Sequence, residues 1–112
     1  MFARHVTLKL KENSVTRLPR IIEYEILPLL RTQKGFRDQI TLVDSVRSLV
    51  IGISVWNTKE EAEACNHTGY CEVMKALAIV VEGTPAVETF EVETFEVFNS
   101  TFYKAAVKAA GV

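Results

Sequence analysis

The sequence predicts an α+β fold in which a four-stranded antiparallel sheet carries two helical regions on one of its faces. Three observations predict it. Apolar residues on alternate positions mark strands, first at Phe2–Leu10. Apolar residues recurring every three to four positions mark two helical regions between the strands. The order is strand, helix, strand, strand, helix, strand, the split βαβ arrangement that segregates helices to one side.

Phe2, Val6, Leu8 and Leu10 share one parity of the first strand, while Ala3, His5, Thr7, Lys9 and Lys11 share the other. Arg4 is the polar exception on the apolar parity. After the break at Lys11–Ser14, the spacing of Leu18, Ile22, Ile26 and Leu29/Leu30 predicts an amphipathic helix. Ser14 or Thr16 is its expected cap and Gly35 its expected end. Pro19 suits a first turn, where no amide donor is needed. Pro28 is expected to kink the helix, because it frees the carbonyl of Tyr24.

The second strand is expected at Phe36–Val43, with Phe36, Ile40 and Leu42 on one face and a turn at Asp44-Ser45. The third, Arg47–Trp56, has Leu49, Ile51, Ile53 and Val55 on one face and Val50, Gly52, Ser54 and Trp56 on the other. A strand apolar on both sides belongs in the middle of a sheet. Thr58-Lys59-Glu60-Glu61 is a capping box, in which the threonine bonds forward and the glutamate reaches back. Its helix is expected to break at Asn66-His67-Thr68-Gly69 and resume with Val73, Met74, Leu77, Val80 and Val81, ending at Gly83-Thr84-Pro85. Ala86–Phe98 reads as the last strand, and Ser100 as the cap of a short C-terminal helix bearing Lys104 and Lys108.

Within that last strand, Val87–Glu91 is repeated as Val92–Glu96. A five-residue repeat flips faces in a strand, so Phe90 and Phe95 share a side only across a bulge. The strand is therefore expected to bulge near Glu93 or to overhang its sheet and pair with a partner. Helices on one sheet face also leave the other bare, with Val43, Val50 and Trp56 expected there. A bare apolar face predicts a homodimer.

The 112 residues, 48% of them hydrophobic, suit a single domain over residues 1–112. Thirteen basic against fourteen acidic residues give a net charge of −1. That balance lacks the basic excess of a nucleic-acid binder or of a protein held on a membrane surface. The apolar run Leu49–Trp56 is far shorter than the ~20 residues of a spanning helix. The N-terminus lacks the apolar run of a signal peptide, so a cytoplasmic location is expected.

Several of these segments together resemble the antibiotic biosynthesis monooxygenase domain. They are Phe2–Leu10, Glu25-Ile26-Leu27-Pro28-Leu29-Leu30, Lys34-Gly35-Phe36, Val50–Trp56 with its capping box, and Tyr70–Val81. The resemblance covers nearly the whole chain and implies a dimeric α/β barrel, two ferredoxin-like sheets closed face to face. It also implies activities seen in that family: cofactor-independent oxygenation of anthrones or quinols, or haem degradation. The haem-degrading branch uses an Asn on the first strand, a Trp on the second helix and a His ligand. Those positions align with Arg4 or Val6, Cys65 and Ala78, so haem degradation is not expected and no cofactor is implied.

The chemistry-bearing residues each admit two readings. Arg4, facing the sheet–helix cleft, can donate to a phenolate or enolate oxygen, or can be a strand-start arginine paired with Asp38 or a glutamate. His5, on the opposite parity, is a substrate-binding group or an interface histidine. For quinol or anthrone oxidation, His67 is the candidate base and Tyr70 the phenolic donor; otherwise both belong to a linker and its lid. Trp56 can stack on a polycyclic substrate or serve as core. Cys65, His67 and Cys71 match no standard zinc spacing, so no metal is expected. Two functions follow: a cofactor-independent monooxygenase of a small aromatic substrate, or a non-catalytic, ligand-binding dimeric barrel.

Overall fold

The computed structural model describes residues 1–68 and 70–95, and the side chains among them except at 66–68, 70 and 71. The elements run β1 (Phe2–Leu10), α1 (Leu18–Ile21), a π-helical turn (Ile22–Ile26), α2 (Leu27–Arg31), β2 (Phe36–Asp44), β3 (Leu49–Trp56), α3 (Lys59–Thr68), α4 (Tyr70–Leu77) and β4 (Val81–Glu91). The sheet is antiparallel with strand order β2-β3-β1-β4. The α+β class and the central place of β3 are as the sequence predicts. The expected C-terminal helix lies outside the described residues.

The first helical region differs from expectation at both ends. No side chain caps it: Arg17 occupies the cap position, and Ser14 is buried in the preceding turn, its carbonyl accepting from the Arg17 amide. Pro19 stands in the first turn, as expected. The helix stops at Arg31, and Gly35 serves the turn into β2 with φ +82°. A Cβ on Gly35 would run into the Glu61 side chain, so both backbone and space require glycine there.

Pro28 distorts the helix by widening it. With no proline N–H to meet the Tyr24 carbonyl, the preceding turn is π-helical, and the Leu27 amide donates to Ile22, five residues back. The inserted turn brings Ile26 into the core.

The register corrects the assignment of faces. β1 pairs with β3 through Phe2↔Trp56, Arg4↔Ser54, Val6↔Gly52 and Leu8↔Val50. Val50 and Trp56 therefore lie under the helices, 1% and 0% exposed, and not on the bare face. Leu49, Ile51 and Ile53 take the bare face instead. On β2 a register shift between Phe36 and Asp38 turns the strand over: Phe36 packs edge-on against Trp56, while Ile40 and Leu42 emerge on the bare face. Val43, across from Val50, is on the helix side but remains exposed.

The last strand starts earlier than expected and ends earlier. α4 stops at Leu77, a turn buries Val80, and β4 begins at Val81. Gly83-Thr84-Pro85 lies inside the strand, where three residues stand against Leu8 alone. An edge strand tolerates this proline because one side of its backbone has no partner strand. The expected bulge at Glu93 is thus absent. Only the first repeat is in the strand; after Glu91 the chain leaves the sheet, with the Val92 amide on the Met1 carbonyl.

α3 is entered through Thr58. The Glu61 amide donates to Thr58 Oγ1 at 3.2 Å, the forward half of the box. The Glu61 carboxylate accepts from the threonine hydroxyl at 3.0 Å instead of reaching a backbone amide.

Candidate functional site

The helices cover β1 and β3 more fully than β2, and a cavity of about 70 Å³ opens between sheet and helices. Its floor consists of three rows of residues running across β2, β3 and β1. The first row is Gln39, Ser54 and Arg4; the second is Thr41, Gly52 and Val6; the third ends in Val50 and Leu8. Its roof is wholly apolar, with Ile22 and Ile26 from the π-helical turn, Leu30 from α2, and Val73 and Leu77 from α4. Polarity thus falls from one end of the floor to the other beneath a uniform hydrocarbon roof.

Arg4 is buried, 5% exposed, and lines the cavity. Its guanidinium donates to the Ala62 carbonyl on α3 and lies 5.8 Å from the centre of the Trp56 ring. The hydrogen bond and the aromatic face offset part of the desolvation of a buried cation. Ser54 is also buried, and its Oγ accepts the indole N–H of Trp56 at 2.9 Å. That bond leaves the hydroxyl proton of Ser54 to be donated elsewhere. Gln39 is loosely tied, its amide nitrogen 3.3 Å from the Ile40 carbonyl and 3.5 Å from Thr41 Oγ1.

Gly52 makes the space. A Cβ there would stand 3.1 Å from the Gln39 amide nitrogen, over the middle of the floor. No other strand position in the cavity floor lacks a side chain.

The predicted site residues divide between three places. Arg4 is in the cavity. Trp56 is fully buried behind the polar row and does not line the cavity, so it serves as packing and as the anchor of Ser54. His5 faces the opposite side of the sheet, edge-on to Phe90 at 6.3 Å between ring centres. Its Nδ1 is buried without a hydrogen-bond partner among the described residues. The side chains of His67 and Tyr70 lie outside the described residues; their backbones end α3 and begin α4. Cys65 is buried in the core, and Cys71 lies outside the described side chains.

Gln39, Ser54 and Gly52 were not singled out by sequence. The signal for the last two is a Gly and a Ser on the same parity of an otherwise apolar strand. Gln39 carried none, because the shift at Arg37 changes which face it joins.

Among the described residues, no group of three or more His, Cys, Asp or Glu could hold a metal ion. No helix among them is long and apolar enough to cross a membrane.

The split βαβ sheet and its helices share their fold with solved structures described as antibiotic biosynthesis monooxygenases and with others like them. Three solved structures carry the likeness. A protein of unknown function from Nitrosomonas europaea superposes with a TM-score of 0.71 at 18% identity, over 88% of this chain and 94% of that one. The monooxygenase ActVA-Orf6 of Streptomyces coelicolor, solved in complex with the ligand nanaomycin D, gives 0.69 at 14% identity, over 88% and 92%. SnoaB of Streptomyces nogalater, a cofactor-independent oxygenase, gives 0.67 at 12% identity, over 84% and 94%. At these identities the likeness is one of fold. No family model matches the chain, and no curated protein matches it.

Proposed function

We propose that this chain is a cofactor-independent monooxygenase that binds a small aromatic or quinol-like substrate in the cleft between sheet and helices. The observation that carries the reading is a buried arginine at the polar end of a cavity whose roof is wholly apolar. Such a site suits a flat hydrocarbon body with one oxygen that becomes anionic. In anthrone oxidation the substrate loses a proton and its carbanion delivers electrons to O₂. One oxygen atom stays as the new carbonyl and the other leaves as water. Arg4 holds the enolate oxygen; His67 takes the proton and Tyr70 donates to the anion, roles assigned on sequence grounds.

An aromatic ring in the cavity extends along the exposed part of β2 past Val43. The π-helical turn in that roof is the kind of irregularity found at functional sites.

We also propose that the bare sheet face closes against a second copy. Ile40, Leu42 and Phe90 are exposed there, with Ile51 and Ile53 beside them.

Oxygen uptake with a panel of hydroquinones and anthrones tests the reaction. Turnover is expected to fall at least tenfold in Arg4→Met, His67→Ala and Tyr70→Phe, the effect of losing a charge-assisted contact or a proton carrier. Absence of uptake on every substrate, or uptake indifferent to all three changes, removes the mechanism.

A further inference from the structure

The cavity floor is ordered, and the order specifies how a ligand lies in it. We infer that Ser54 and Gln39, together with Arg4, form a row that reads one oxygenated edge of a planar ligand, leaving the rest of the ligand on hydrocarbon. This rests on the cleft being the ligand site.

Three observations support it. First, the three residues are cross-strand neighbours: Gln39 pairs with Ser54 on one side, and Arg4 with Ser54 on the other. Side chains on one face of adjacent strands stand about 4.5–5.5 Å apart, so the row presents its polar groups along one line. Second, their hydrogen-bonding capacities are directional. The Trp56 indole occupies one lone pair of Ser54 Oγ and leaves its hydroxyl proton to donate to a ligand oxygen. Gln39 is held only by long contacts to its own neighbours, and its amide can turn toward an incoming oxygen at little cost. Third, polarity dies away along the floor. Thr41 is the one polar side chain of the second row, and Val50 and Leu8 form the far end.

A ligand with oxygens on opposite edges would bury one of them against Val50, Leu8 and the apolar roof. Leaving a buried hydroxyl or carbonyl unpaired there is expected to weaken binding about five- to a hundredfold. The site therefore selects ring systems oxygenated along one edge. In this reading Ser54 and Gln39 are specificity-determining residues, and Gly52 keeps the space over which the ring lies.

Trp56 supplies the readout, because it is the only tryptophan and is bonded to Ser54. Titrations of the intact protein with 2-naphthol and with naphthalene, followed by Trp56 emission, give the two dissociation constants. Calorimetry provides them independently of the indole. The wild type is expected to bind 2-naphthol at least tenfold more tightly. Gln39→Leu and Ser54→Ala are each expected to lower the preference for 2-naphthol over naphthalene about three- to tenfold, typical of a single hydrogen bond. Equal affinities in the wild type, or variants that weaken both ligands alike, overturn the polar row and leave the cleft standing. Failure of both ligands to bind the wild type overturns the cleft as a ligand site, and this inference with it.

Discussion

The indole N–H of Trp56 donates to Ser54 Oγ at 2.9 Å, across the last turn of the pleat on the helix-facing side of β3. A fully buried aromatic ring thereby orients a buried hydroxyl at the polar end of the cavity. Core and site are coupled at this one contact.

Replacing Trp56 by Phe tests that coupling. The change removes the donor and leaves part of the indole volume empty beside Phe36 and Arg4. A loss of about 2–3 kcal/mol is expected from the cavity and the lost bond together, read by urea denaturation. A variant as stable as the wild type would show that the indole is not anchored as described.

Filling the floor at Gly52 should separate the site from the fold. In Gly52→Val the new side chain displaces the end of Gln39, which is flexible, and gains strand propensity. Stability is expected to change by less than about 1 kcal/mol, while 2-naphthol binding is lost. Undiminished binding would place the ligand elsewhere.

The bare face makes a prediction about assembly. Light scattering at micromolar concentration should give twice the monomer mass. Ile53→Glu should give the monomer, because it sets a charge between Ile40 and His5 in the row that crosses that face. A wild-type monomer refutes the closed barrel.

Acid titration has one clear local signature. The Asp44 carboxylate accepts from the Arg47 backbone and side chain, and less strongly from the Val46 amide, which hold its pKa below the ordinary 3.8. A depressed folded value means that this contribution is present above pH 3.8 and is lost as pH falls through the folded pKa. Carboxyl chemical shifts should show a midpoint below 3.8 that rises toward it in Arg47→Ala. A midpoint unmoved by that change would assign the shift to another cause. Asp44 lies at the β2–β3 turn with its side chain 36% exposed, so the effect concerns that turn and not global stability.

How much of this was legible depended on the contrast between the two faces of each element. β1 keeps Phe2, Val6, Leu8 and Leu10 on one parity, and that parity put Arg4 under the helices and His5 on the other side. β3 is apolar on both faces, and periodicity had no means of choosing between them; the pairing of Phe2 with Trp56 makes the choice. On β2 a single shift beside Arg37 reversed the expected faces of Ile40 and Leu42. A local irregularity of that kind has no counterpart in a binary pattern.

The sequence by itself determined the class of fold, the order of elements, the distortion at Pro28 and the placement of Arg4. Each follows from short-range rules: period, turn residues, a missing amide hydrogen. Tertiary structure alone decided which face of β3 is covered, where β4 begins, and that Gln39, Ser54 and Arg4 form one row over a floor opened by Gly52. These are matters of register between strands distant in the chain. Register is fixed by the fit of whole faces against one another, and no single strand contains it.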